Sequence, residues 1–153
     1  MPSRAIAVFG TAPYLGTITF DSTGSVMKIT GSVAGFQPNS KHGVHIHNYG
    51  VLTNSCNDAG PHYNPSGEKH GSLTSSTRHG GDLGNMDADA QGTLTASIND
   101  FKMDLKEFVG RAIVIHQDAD DLGQGSAASS STTGNSGPRL ACAAIVLAEI
   151  PAV

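Results

Sequence analysis

The sequence predicts an all-β domain, an antiparallel sandwich or barrel. Composition is the first observation: 19 of 153 residues are Gly, only 14% are charged, and Trp is absent. Patterning is the second. Short apolar or alternating runs follow one another, separated by turns rich in Gly, Ser and Asn. The length suits a single domain spanning residues 1–153, large enough to bury a core without staples.

The strands read off in order. Ala5 to Phe9 is a short apolar run, and Leu15 to Asp21 alternates with Thr17 and Thr19. Val26 to Val33 follows the turn Ser22-Thr23-Gly24-Ser25, and Gly43 to Tyr49 reads as the next strand. Residues 50–82 are irregular and carry much of the His content. Thr93 to Ile98 alternates again, with Leu94, Ala96 and Ile98 on one side. Arg111 to His116 and Leu140 to Leu147 are strongly apolar, and a second long loop, Gln117 to Pro138, lies between them. Helix is expected at most as one turn near Asp120-Asp121-Leu122. Loops of this length in a compact domain are usually functional, so both read as walls of a site on a rigid β scaffold.

The charge balance excludes some partners. Formal net charge is −4 and no Lys/Arg cluster exists, which argues against nucleic acid. No apolar run reaches the length of a membrane-spanning helix, so no membrane partner is expected. The start, MPSRAIAVFG, has no long apolar region. The expectation is a cytoplasmic protein, or an extracellular one after leader removal.

The seven histidines are 42, 45, 47, 62, 70, 79 and 116. His45 and His47 are two apart on a predicted strand, so both imidazoles leave the same face while Val44 and Ile46 enter the core. Taken alone, such a pair is more often two exposed polar residues. His62, His70, His79 and Asp82 follow in the adjoining loop, however, and four more ligand types in one segment are hard to assign to structure. Imidazole suits zinc and copper, and a carboxylate can complete a zinc site. His116 ends an apolar strand that would deliver it to a barrel rim. His42 reads as a hydrogen-bonded structural residue.

HGVHIHNYG (42–50), AGPHYNPSGEKHG (59–71), RHGGDLGNMDADAQG (78–92), IHQDADDLGQG (115–125) and TGNSGPRLAC (133–142) resemble the copper/zinc superoxide dismutase family, over essentially the whole chain. The resemblance implies an eight-stranded antiparallel Greek-key barrel with two long functional loops. It implies an oxidoreductase that converts superoxide to dioxygen and hydrogen peroxide by Cu(II)/Cu(I) cycling. His45, His47, His62 and His116 match the copper ligands, and His62, His70, His79 and Asp82 the zinc ligands, with His62 shared. Asp120 matches a carboxylate linking His45 to His70. Arg139 matches the arginine that holds the anionic substrate, and Arg139 and His62 are the expected catalytic residues. Cys56 and Cys142 match a disulfide. A homodimer is implied through Gly50-Val51-Leu52, Phe108-Val109-Gly110 and Val146-Leu147, with a copper chaperone as a further partner. The alternative is a related copper/zinc-binding protein of low activity or a metal carrier.

The chain also departs from the family pattern. Ser126 to Thr133 carries no charge, where Glu and Lys are usual, and Asp118 stands where Lys is common. Asn48 replaces a usual Glu, which leaves Arg111 without that expected partner. Gly80 replaces a β-branched residue beside His79. Weakened electrostatic steering is therefore expected.

Overall fold

A computed structural model describes residues 2–151 of the chain. Eight strands form one sheet: β1 (Pro2–Thr11), β2 (Tyr14–Thr23), β3 (Val26–Ala34), β4 (Lys41–His47), β5 (Asp82–Asp87), β6 (Leu94–Phe101), β7 (Ala112–His116) and β8 (Arg139–Ala148). Their spatial order is β5-β4-β7-β8-β1-β2-β3-β6, with every ladder antiparallel. The connections from β3 to β4 and from β6 to β7 cross the barrel, which is the Greek-key path. β8 spans both halves: Ala141 to Ala144 pair with β7, and Ile145 to Ala148 with β1. Between the outer strands β5 and β6, an isolated bridge joins Ala88 and Leu94.

Strand alternation builds the interior. Ala5, Ala7 and Phe9 of β1 point inward with Ile18 and Phe20 of β2 and Met27, Ile29 and Val33 of β3. Val44 and Ile46 of β4 join the same core. Phe108, just before β7, meets Phe20 edge-on at 6.2 Å. Its complete burial removes it from the apolar surface patch expected from the sequence.

Two elements differ from the sequence reading. β5 begins at Asp82, where the irregular stretch 50–82 was expected to end, in a segment for which no strand was expected. Its Gly84 and Asn85 are poor strand formers, and Asp82, Leu83, Gly84 and Met86 are all buried, so no alternation marks it. The segment at Asp120-Asp121-Leu122 is not helical; among the described residues a short α-helix, α1, is Ser130–Thr133, with single 3-10 turns at Asn57–Ala59 and Leu105–Glu107. Asp120 and Asp121 instead close Asx turns, accepting from Leu122 N at 2.7 Å and Gly123 N at 3.0 Å.

Candidate metal centre

β4 and β7 are neighbours, with His45 opposite Val114 and His47 opposite Ala112. Period-2 geometry therefore sends His45 and His47 off one face of the barrel. His116 leaves the end of β7 on the same side, its ring centroid 4.8 Å from His45 and 5.4 Å from His47. The first loop folds back along β4. His47 and His62 form a bridge, with Asn48 N donating to Pro61 O at 3.0 Å and Tyr63 N to Ile46 O at 2.7 Å. That return places the His62 ring 4.0 Å from the His45 ring. A disulfide between Cys56 and Cys142 ties this loop to β8.

One ligand atom from each of His45, His47, His62 and His116 lies within 4.8 Å of the others, and all four residues are buried. Hydrogen bonds fix which nitrogen of each ring is free. His47 donates Nδ1–H to Gly60 O at 2.7 Å, and His116 donates Nδ1–H to Gly137 O at 3.1 Å. Their Nε2 atoms then face each other at 3.3 Å. His45 donates Nε2–H to Asp120 Oδ2 at 2.7 Å, which leaves Nδ1 free. Orientation of ligating rings by such outer bonds is the usual arrangement in metal sites.

A second group forms on the far side of His62. His62 Nδ1, His70 Nδ1 and His79 Nδ1 converge on Asp82 Oδ1 at 3.1, 2.9 and 3.4 Å. Tetrahedral zinc with ligands near 2.0–2.1 Å has ligand–ligand edges of about 3.3 Å. Grouping by atom spacing alone also takes in His45 with His62, His70 and Asp82. His45 belongs to the first group, because its Nε2 is committed to Asp120 and only Nδ1 remains. Asp120 joins the two groups, since His70 Nε2 bonds its other oxygen at 2.7 Å. Asn85 in turn holds the Asp120 backbone at both N and O, at 2.7 and 2.9 Å. A side chain at Gly134, whose φ is 72°, would collide with the Asp120 carboxylate and the His70 ring.

Burial sets the charges. It pulls His45 down to about 3 and His116 to about 4, and lowers His47 and His62 as well. These four imidazoles are neutral, the form that binds metal. Burial also opposes charge on His70, but the Asp120 and Asp82 carboxylates outweigh it and hold His70 up at about 9. Burial works against the Asp120 carboxylate, yet His45 and His70 keep it down at about 2. Asp82, bonded by His62, His70 and His79, is likewise held well below the usual carboxylate range despite burial.

Two ring nitrogens, His45 Nδ1 and His62 Nε2, are buried without any hydrogen-bond partner. Orphaned buried polar atoms cost about 1–3 kcal/mol each, and a metal ion would satisfy both. The donor types fit as well: imidazoles alone suit copper, and imidazoles with one carboxylate suit zinc.

A cavity of about 450 Å³ leads to this cluster. His62 and His79 line it with Asn48, Asn64, Glu68, Thr132, Thr133 and Arg139. Arg139 is anchored to the first loop: Nη1 donates to Cys56 O at 2.9 Å and Nη2 to Gly60 O at 2.7 Å. Burial lowers its pKa from the usual arginine value. The sequence reading missed the bonds of Arg111, which reach Glu107 O and Asn48 O in place of a side-chain carboxylate at position 48. No sequence spacing signals them. His42 is buried between Ser40 Oγ and His116 O, each at 2.7 Å.

An antiparallel barrel with a buried, carboxylate-bridged imidazole cluster is a metalloprotein with room for two adjacent ions. The family model described as copper/zinc superoxide dismutase matches residues 14–145, so the chain belongs to the copper/zinc superoxide dismutase family. An extracellular superoxide dismutase [Cu-Zn] of Schistosoma mansoni is 46% identical, the match covering 92% of this chain and 78% of that one. A superoxide dismutase [Cu-Zn] of Cordyceps militaris is 44% identical over 95% of this chain and 99% of that one. One from Paramecium bursaria Chlorella virus 1 is 45% identical over 97% and 80%. A crystal structure of the clock protein EA4 aligns with a TM-score of 0.90 and 36% identity, covering 96% of each chain. Among the described residues, no helix is long and apolar enough to cross a membrane.

Proposed function

We propose that this chain dismutes superoxide with copper on His45 Nδ1, His47 Nε2, His62 Nε2 and His116 Nε2, and zinc on His62, His70 and His79 Nδ1 and Asp82. The observation that carries the assignment is the pair of orphaned buried nitrogens, His45 Nδ1 and His62 Nε2. Copper supplies the one-electron exchange that oxidises one superoxide to O2 and, with two protons, reduces a second to H2O2, while zinc is redox-silent. The chain's own residues do the rest. Arg139, fixed by loop carbonyls beside the cavity, attracts and orients the anion. With zinc on Nδ1, His62 Nε2 would hold a proton when it is not a copper ligand, which would place a proton donor beside the bound anion. Asp120 keeps the His45 and His70 rings in one tautomer. Both ligand groups are deeply buried, which suits resident ions and speaks against a carrier.

A homodimer is part of the same reading. Val51, Leu52, Val146 and Leu147 are apolar yet 49%, 40%, 49% and 69% exposed, which supports their burial against a second copy. A copper chaperone is the expected metal source, in the cytoplasm or outside the cell. Metal analysis of the purified protein, with His79→Ala and Asp82→Ala alongside, tests the assignment. One copper and one zinc per wild-type chain are expected, with zinc lost and copper kept in both variants. Full zinc in either variant would overturn it, and sedimentation as a monomer at micromolar concentration would remove the dimer.

A further inference from the structure

Arg111 is left over by the reading above: it touches neither ligand group nor the cavity. Its surroundings are nevertheless specific. The guanidinium lies 3.7 Å over the Tyr63 ring. Nη1 donates to Asn48 O at 3.0 Å and Nε to Glu107 O at 2.6 Å. The Tyr63 hydroxyl donates to the Glu107 carboxylate, which closes the ring of contacts. Arg111 is itself anchored to β8, since Ile145 N donates to Arg111 O at 2.9 Å and Gly110 N to Ile145 O at 2.8 Å.

The contacts fall on informative residues. Asn48 follows His47 in the chain, and Tyr63 follows His62. His47 and His62 are the two members of the bridge where the first loop joins β4, with ring centroids 4.8 Å apart. Backbone bonds from Asn48 N to Pro61 O, Tyr49 N to Ala59 O and Tyr63 N to Ile46 O align the two sides, and the guanidinium adds a side-chain link between them. Arg111 reaches across both: a charge-assisted bond to the residue after one histidine, and a cation–π contact to the residue after the other. We infer that Arg111, Tyr63 and Glu107 form a clasp that sets the separation of His47 and His62, making Arg111 a positioning residue for the copper-binding nitrogens. The clasp reaches neither His70 nor His79, and His62 is the one residue it shares with the second group, so it acts mainly on the first. It explains how the chain tolerates Asn48: the backbone carbonyl and the tyrosine ring take the guanidinium that a carboxylate there would have held.

This inference rests on His47 and His62 being copper ligands, and the experiment separates the two ideas. Cu(II) is titrated into zinc-loaded wild type, Arg111→Met, Arg111→Lys, Tyr63→Leu and Tyr63→Phe, with affinity and the visible Cu(II) band recorded. Co(II) in the zinc position reports the second group in parallel, and circular dichroism confirms folding. Outer-shell partners typically shift metal affinity 10–100-fold. Arg111→Met and Tyr63→Leu should weaken copper by about that much and move the Cu(II) band, with a smaller change at Co(II), which shares only His62 with the clasp. Tyr63→Phe keeps the ring but loses the bond to Glu107, and should perturb the band less than Tyr63→Leu. Arg111→Lys, which keeps charge without the fork, should fall between. Wild-type copper affinity and band in folded Arg111→Met or Arg111→Lys would overturn the clasp, as would equal loss at both metals. A wild-type band that persists in His47→Ala would instead overturn the ligand assignment.

Discussion

The metal-free protein should be most stable near pH 6.5 and lose stability on both sides, and the site explains each limb. His45, His47, His62 and His116 are held neutral by burial, with His116 at about 4 and His45 at about 3. In the unfolded chain each takes up a proton as pH falls through about 6.5. The unfolded state then binds more protons than the folded one, so stability falls with pH. Each such group contributes a slope of about 1.4 kcal/mol per pH unit, and four approach about 5. A domain stable by about 5–15 kcal/mol would unfold within a few units below pH 6. His70 has the opposite sign. Its pKa is raised to about 9 by Asp120 and Asp82, so its stabilisation is complete below 6.5 and lost as pH rises toward 9. Below 6.5 it is protonated in both states and offsets nothing. Asp120, at about 2, stabilises above the ordinary carboxylate range and gives way only at more acid pH. Urea denaturation of the metal-free protein from pH 4.5 to 9 measures the profile. With both metals bound the acid limb should persist, because the unfolded chain still takes up protons, while the basic limb set by His70 should disappear, because an occupied nitrogen cannot protonate. A flat metal-free profile, or one that rises steadily to pH 9, would refute the charge states assigned to the cluster.

Other outcomes follow from single contacts. Arg139→Ala should lower kcat/KM for superoxide by roughly tenfold or more with copper retained, since a charge-assisted contact is worth about 1.5–3 kcal/mol; pulse radiolysis reads it. The rate should lie below the diffusional ceiling of about 10⁸–10⁹ M⁻¹s⁻¹ and show weak or inverted salt dependence, because among Ser126 to Thr133 no residue is charged. Asp118→Lys should raise it at low salt. Ser136→Ala should raise the melting temperature by about 2–6 °C, since the Ser136 hydroxyl is fully buried without a partner.

The parts of this design visible in the sequence are those governed by local periodicity. Alternation in β1 to β3 marks an inward face, and the His45/His47 spacing marks a shared outward one. β5 is invisible to that logic because loop residues bury its second face, so its pattern does not alternate. Asp120 and Arg139 are separated in sequence from the groups they serve, so only the resemblance to a family singles them out. The clasp around Arg111 joins residues 48, 63 and 107 through carbonyls and a ring face, which no residue type advertises.

The division of ligands between barrel and loop has a further consequence for Arg139. His45, His47 and His116 stand on paired strands, whereas His62, His70 and His79 are carried by the first loop. Among the ties that hold that loop are the Cys56–Cys142 disulfide, the bond of Asp120 to His70, and the bonds of Arg139 to Cys56 O and Gly60 O. The disulfide closes a loop across a sequence separation of 86, worth about 4–5 kcal/mol in the chain-entropy account. Gly60 O also accepts from His47 Nδ1 at 2.7 Å. One carbonyl therefore fixes both the arginine beside the cavity and the tautomer of a copper-facing imidazole. Removing the Arg139 guanidinium frees that carbonyl and slackens the tether at Cys56, so the loss in Arg139→Ala combines weaker anion attraction with looser geometry. Arg139→Lys separates them: it keeps the charge but cannot span Cys56 O and Gly60 O with one rigid fork. A lysine rate near wild type at low salt assigns the effect to charge, and a rate near that of alanine assigns it to the tether.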